Sequence, residues 1–140
     1  MKRWTMALAP LLFLGALAAC GPGATAPQTM EVVLEGQNEV PPVVTDAFGS
    51  ANVSVAGTAM TVDGAFDGFE ATAAHVHGPA DVGETAGPIF TLDVDNPNTH
   101  FEGTFTMTPE QVEWFQGGLL YLNVHSEANP GGEIRGQIVP

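Results

Sequence analysis

The chain has 140 residues, with 16 Asp or Glu against three Lys or Arg, and a net charge of −13 at neutral pH. A surface this acidic repels nucleic-acid phosphates and anionic lipid headgroups, so nucleic-acid binding is excluded. A single Cys rules out an intrachain disulfide, and the fold must therefore be held by a hydrophobic core.

In chain order, Lys2 and Arg3 precede an apolar run from Met6 to Ala19, broken by Pro10 and ending in Leu17-Ala-Ala-Cys20. A basic start, a short apolar stretch and small residues at its end form a secretory signal. Its end resembles a bacterial lipobox, which implies that Cys20 becomes the lipidated first residue. The run is shorter than the roughly 18–20 residues of a membrane span, so the chain is expected to be anchored rather than to cross. Residues 1–19 are read as this signal, residues 20–29 as a flexible Gly/Pro/Ala/Thr tether, and residues 30–140 as one domain. Loss of the signal leaves Arg135 alone against 16 acids, about −15 in all. A carboxylate partner for Arg135 is expected.

Met30–Gly36 has the pattern of a first strand, and Gly36–Asp46, with Pro41-Pro42, that of an irregular connection. Strands are expected at about Gly49–Ala56, Ala59–Phe66, Ala71–Gly78, Pro88–Val94 and His100–Met107, with Gly57, Gly64 and Gly68 at turns or bulges. Asp81–Gly87 reads as a polar loop and Asp95–Asn98 as a turn. Thr108-Pro-Glu-Gln111 supplies a cap, a proline at the first helical position and a Gln three residues on; Gly117-Gly118 stops this short helix near 109–116. About eight short strands and one helix predict an all-β fold, an antiparallel Greek-key sandwich or barrel. Its expected core is Leu34, Val53, Val55, Val62, Val76, Leu92, Phe101, Phe105, Leu120, Leu122, Val124, Ile134 and Ile138.

The last stretch carries the most chemistry. Leu120, Leu122 and Val124 alternate with Tyr121, Asn123 and His125; after the Asn129-Pro-Gly-Gly132 turn, Ile134 and Ile138 alternate with Glu133, Arg135 and Gln137. Alternate strand residues face opposite ways. One face is therefore aliphatic and the other carries Tyr, Asn, His, Glu, Arg and Gln.

Gly36-Gln-Asn-Glu-Val-Pro-Pro42, Ala73-Ala-His-Val-His-Gly-Pro79, Gly87-Pro-Ile and the Tyr121–Gln137 string together resemble the CHRD domain, a family named after chordin and common in bacterial secreted proteins. The resemblance covers about residues 30–140. It implies an extracytoplasmic β-domain with a binding or structural role in the cell envelope, in which an envelope protein could be the partner. In chordin the setting is extracellular growth-factor binding.

His75 and His77 are two apart on one strand and share a face, and His125 lies on the polar face of its own strand. Such a trio suits copper or zinc. The alternative is a hydrogen-bonded network of the same histidines with Asn123, Glu133 and Arg135. His77-Gly-Pro and the closing Gly-Gly-Glu-Ile-Arg-Gly resemble copper-zinc superoxide dismutase faintly; a dismutase-like metalloenzyme is the third reading, although neither a bridging histidine nor the disulfide is present. Metal affinity is expected to fall as pH drops through about 6.5, the ordinary histidine pKa. No catalytic residue is assigned and the chain is expected not to be an enzyme: no Gly-x-Ser-x-Gly elbow surrounds Ser50, Ser54 or Ser126. Tyr121, Asn123, Glu133 and Arg135 are read as supporting groups, with Glu133 accepting from His125 or a backbone amide and Arg135 reaching a carboxylate or carbonyl on a neighbouring strand. His100 is read as solvated, Met60 and Met107 as core, and the Asp93, Asp95, Asn96 and Asn98 group as turn chemistry rather than a calcium site.

Overall fold

The structure, a computed structural model, describes residues 26–95 and 98–140. Eight strands follow one another: β1 (Gln28–Glu35), β2 (Phe48–Ala56), β3 (Ala59–Asp67), β4 (Ala71–His77), β5 (Pro88–Val94), β6 (His100–Thr106), β7 (Leu120–Ser126) and β8 (Ile134–Ile138). A 3-10 turn occupies Gly36–Asn38, and helix α1 spans Pro109–Gln116 between β6 and β7. The strands pair antiparallel in the order β1-β2-β3-β6-β5-β4-β7-β8, and β8 returns to β1 through Glu35 and Arg135, closing the barrel. The crossovers from β3 to β4 and from β6 to β7 make it a Greek key. The expected all-β architecture holds, and β1 begins at Gln28, two residues before Met30.

The period-two pattern decides which side of each strand faces in. Leu34, Val53, Met60, Val62, Val76, Phe101, Leu120, Leu122, Ile134 and Ile138 are all fully buried. Met107 is also core. Phe105, expected inside, is only partly buried: it stacks on Phe90 with centroids 4.5 Å apart and planes at 10°. The cause lies in the seam between β5 and β6, which pair through only two residue pairs, Asp93–Glu102 and Val94–Phe101.

Two of the three glycines assigned to turns occupy them. Gly57 and Gly68 have φ of +61° and +98°, the left-handed region that a side chain disfavours. Gly64 instead lies within β3, opposite Phe101 on β6. A Cβ there would collide with the Phe101 ring and the Ala51 methyl, so this glycine makes room for a fully buried core ring.

Helix α1 begins as its residues dictate. Gln111 N donates to Thr108 Oγ1 at 3.2 Å, and Thr108 N donates to Gln111 Oε1 at 2.8 Å, a reciprocal capping box with Pro109 at the first position. The Asp95 turn is built by its own side chain: Oδ1 accepts from the amides of Thr99 and His100 at 2.8 and 2.9 Å. Asn98, at φ +69°, bonds both the amide and the carbonyl of Ala71 through its side chain. These bonds explain both residues as turn chemistry. The signal, Cys20 and most of the tether lie outside the described residues.

Gly64→Ala should overpack the barrel and cost about 1–3 kcal/mol, read as a lower urea midpoint with an unchanged slope. Adding Phe101→Leu should recover part of that loss, because the two changes share one contact. A Gly64→Ala protein as stable as wild type would contradict this packing.

Candidate metal centre

Every residue of β7 is buried, on both faces. The inner face is aliphatic and fills the core. The outer face, Tyr121, Asn123 and His125, continues onto β4 and β8 in registered rows: His77–Tyr121–Gln137 and His75–Asn123–Arg135, with Ala73 opposite His125. The 36–46 and 78–87 connections fold over this face. They bury His77, Asn123, His125, Ser126, Glu133 and Arg135 together with Glu39. The polar face legible in the sequence is thus a second interior outside the barrel, and each of its polar groups needs a partner.

His75, His77 and His125 meet in this layer, with one nitrogen from each within 4.8 Å of the other two. The ring centroids are 4.9 Å apart for His75–His125, 5.5 Å for His75–His77 and 5.6 Å for His77–His125. Strand alternation aims the pair on β4 the same way, and Ala73, opposite His125, offers no bulk to hold that ring off.

Backbone carbonyls decide the tautomers. His77 Nδ1 donates to Ala86 O at 2.9 Å and His125 Nδ1 donates to Pro130 O at 3.0 Å. Both Nε2 atoms are therefore lone pairs. The lone pair of His125 accepts from His75 Nδ1 at 3.0 Å. The Nε2 of His77 is buried without any partner. His75 is half-buried, so its ring can exchange its proton with solvent, and the Nε2–H tautomer frees Nδ1. Neutral lone pairs on Nδ1 of His75 and on Nε2 of His77 and His125 are then available in a cluster whose ligand nitrogens lie within 4.8 Å of one another. This donor set fits copper or zinc.

All three imidazoles are held below the usual histidine pKa. Burial is the main cause in each. For His77 it outweighs the opposing Ala86 carbonyl and lowers the pKa to about 4. They are neutral at pH 7, the form that binds metal.

The supporting residues sit differently from the sequence expectation. Among the described residues Arg135 makes no ion pair; the one ion contact is His100 Nε2 to Asp63 Oδ1 at 3.5 Å. Arg135 donates to Glu84 O at 2.6 Å, to Asp81 O at 3.4 Å and to Gln137 Oε1 at 3.0 Å. Its guanidinium carbon lies 3.6 Å over the Tyr121 ring. The carbonyls belong to the 78–87 connection rather than to a neighbouring strand. A loop returning over the sheet presents unpaired carbonyls, and a planar fork satisfies several at once.

Glu133 does not touch His125, because Pro130 O already occupies that ring's Nδ1. It accepts from Ser126 Oγ at 2.7 Å and from the Asn129 amide, bracing the 126–133 turn. Burial pushes its carboxyl up, but hydrogen bonds from Thr45, Asn129 and Ser126 prevail and hold it below the ordinary value. Asn123 donates at 3.4 Å to both Glu39 Oε2 and Gly131 O, and also leaves the ligands alone. A groove of about 630 Å³ lined by Val33, Val40, Pro42 and Val82 lies beside Arg135 and contains none of the three histidines.

A profile of the CHRD domain matches residues 30–138. The chain belongs to the CHRD domain family. CHRD domains are extracellular and are not a known enzyme family. Among the described residues of this CHRD chain, no helix is long and apolar enough to cross a membrane. Comparison with curated proteins and with solved structures gave no match.

The sequence reading missed Glu39, although it lies in the Gln-Asn-Glu-Val-Pro-Pro segment of the CHRD resemblance. The residue is 6% exposed. Burial raises its pKa to about 7, against the opposing pull of Arg135 and the Asn123 bond. Glu39 Oε1 and Asn123 Oδ1 are both buried and unpartnered, and both crowd the space where a Cβ of Gly132 would stand. A neutral carboxylic acid resolves this, because its O–H can donate to the amide oxygen. A raised folded-state pKa favours the protonated form, so this stability is complete below the unfolded value near 4.5 and is lost as pH rises through about 7. Glu39→Gln should therefore melt like wild type at pH 4.5 and clearly above it at pH 8. A lower melting temperature than wild type at pH 8 would show that the charged form is the one the fold prefers.

Proposed function

We propose that this CHRD domain is a non-enzymatic module of the cell envelope that holds a copper or zinc ion on His75, His77 and His125. One observation carries the reading: three imidazole nitrogens converge while the Nε2 of His77 is buried with no partner. A purely structural network satisfies His75 and His125 through their mutual bond but leaves that atom orphaned. A bound cation would satisfy all three. With imidazole ligands alone, copper(II) should bind more tightly than zinc(II).

The pH window lies lower than the ordinary histidine pKa suggests. Protons compete with metal only as pH falls through the folded-state values, which lie below 6.5 and reach about 4 for His77. Calorimetric copper(II) affinity should be nearly the same at pH 7.5 and 6.5, and at least about tenfold weaker at pH 4. His75→Ala, His77→Ala and His125→Ala should each abolish micromolar binding, and His100→Ala should leave it intact. Wild-type protein that takes up no copper or zinc at pH 7.5 would leave the hydrogen-bonded network, and an envelope interaction role, as the better account.

The second half of the proposal is the anchor. The lipobox-like Leu17-Ala-Ala-Cys20 and the unpatterned tether after it support a lipid on Cys20, holding the CHRD domain on the outer side of a membrane. Cells expressing Cys20→Ser should accumulate uncleaved precursor without incorporated palmitate. Normal processing of that variant to a soluble form would remove the anchor.

A further inference from the structure

Arg135 is the only basic side chain among the described residues, is 2% exposed, and spends its donors on a loop rather than on an acid. That loop is the one that orients His77. Ala86 O accepts both His77 Nδ1 and the Tyr121 hydroxyl, at 2.9 and 3.0 Å, and Ala86 N donates back to the same hydroxyl at 3.1 Å. Two residues upstream Arg135 holds Glu84 O, and further back Asp81 O. Gln137, which accepts from Arg135, donates to Ala80 O at 2.9 Å. The guanidinium therefore fixes the stretch from Ala80 to Ala86 from below.

A second route runs through the rings. The Arg135 guanidinium carbon sits over one face of Tyr121, and His77 stacks on Tyr121 with centroids 4.9 Å apart and planes at 14°. The cation attracts the ring face, and the ring sets the plane of the imidazole. Both routes converge on His77, the one histidine whose ligating atom has no alternative partner.

We propose that Arg135 is the positioning residue of the metal centre. Through the Ala80–Ala86 loop and Tyr121 it locks His77 as the Nδ1–H tautomer, with Nε2 turned toward His75 and His125. In its metal consequence this rests on the copper or zinc reading above; the tautomer lock does not. Without the guanidinium, Glu84 O loses its donor and Asp81 O keeps only the Glu84 amide, the loop is free to shift, and Ala86 O no longer selects one nitrogen of His77. Lysine cannot replace it, since an ammonium cannot lie flat on Tyr121 and reach separate carbonyls together.

Long-range proton–nitrogen correlation of the imidazoles in metal-free, nitrogen-15-labelled protein at pH 7.5 tests this directly. Wild type should show His77 protonated at Nδ1 alone. Arg135→Ala and Arg135→Lys should show a mixture of tautomers, and after loading with copper(II) an altered hyperfine pattern in electron paramagnetic resonance and about 10–100-fold weaker binding. Tyr121→Phe keeps the ring and loses only the hydroxyl, so it should move the same readouts less far and is the deciding variant if Arg135→Ala does not fold. A folded Arg135→Ala with the wild-type His77 tautomer overturns the proposal, as does such a Tyr121→Phe where Arg135→Ala fails to fold. Wild type that shows the single tautomer but binds no copper sinks the metal reading and leaves the positioning role standing.

Discussion

A barrel wall with polar side chains on its outer face can be covered only if every covered group finds a partner, and this requirement shapes the rest of the molecule. Desolvating a polar group without a hydrogen bond costs about 1–3 kcal/mol, and a charge costs far more. Here the covering segments are loops, whose carbonyls have no strand to pair with. The side chains below them are donors: a guanidinium, two amides, a phenol and two imidazole N–H groups. Loop carbonyl and side-chain donor satisfy one another across the layer. This explains how a single cation can lie buried in so acidic a protein without a carboxylate in ion-pair contact. Its close contacts are dipolar and aromatic, and Glu39 adds a longer-range Coulombic attraction.

The same arrangement settles what the histidines can do. An imidazole that donates Nδ1–H to a fixed carbonyl is committed to offering Nε2 as a lone pair. Two of the three are committed in this way, and the third, half-buried, can exchange its proton with water. The hydrogen-bonded network and the proposed metal centre would then be two occupancy states of one geometry, differing in the tautomer of His75 and in what fills the space before His77 Nε2. Burial holds all three imidazoles below the ordinary histidine pKa, so the layer that hides them also keeps them neutral at pH 7.

Much of the barrel was legible in the chain, because its information is local. Alternation at Leu120–His125, the capping box at Thr108 and the Asp95 turn each depend on neighbours a few residues away. Shared orientation of His75 and His77 follows from strand geometry, and their meeting with His125 needed only the pairing of β4 with β7. What could not be read is long-range. Gly64 looks like a turn residue until Phe101 is placed across from it. Arg135 in an acidic chain suggests an acid partner, and nothing in the sequence says that a loop about 50 residues earlier will present carbonyls instead. Glu133 stands two residues before Arg135, yet the turn it braces denies it His125. Glu39 gave no signal beyond its place in a family motif, since its burial depends on a connection with no periodicity. Phe105 alternates like a core residue, and only the short β5–β6 seam places it at the edge.

The confinement of basic chemistry to Arg135 also has a consequence for survival outside the cell. Enzymes of the trypsin type cut only after lysine or arginine, and between Ala26 and Pro140 the chain offers them one such bond, Arg135–Gly136. That bond lies inside β8, paired on one side with β7 and on the other with β1, with the arginine side chain buried. Cleavage would require the barrel to open at its closing strand. For this whole class of protease, the folded domain has no accessible recognition residue between Ala26 and Pro140.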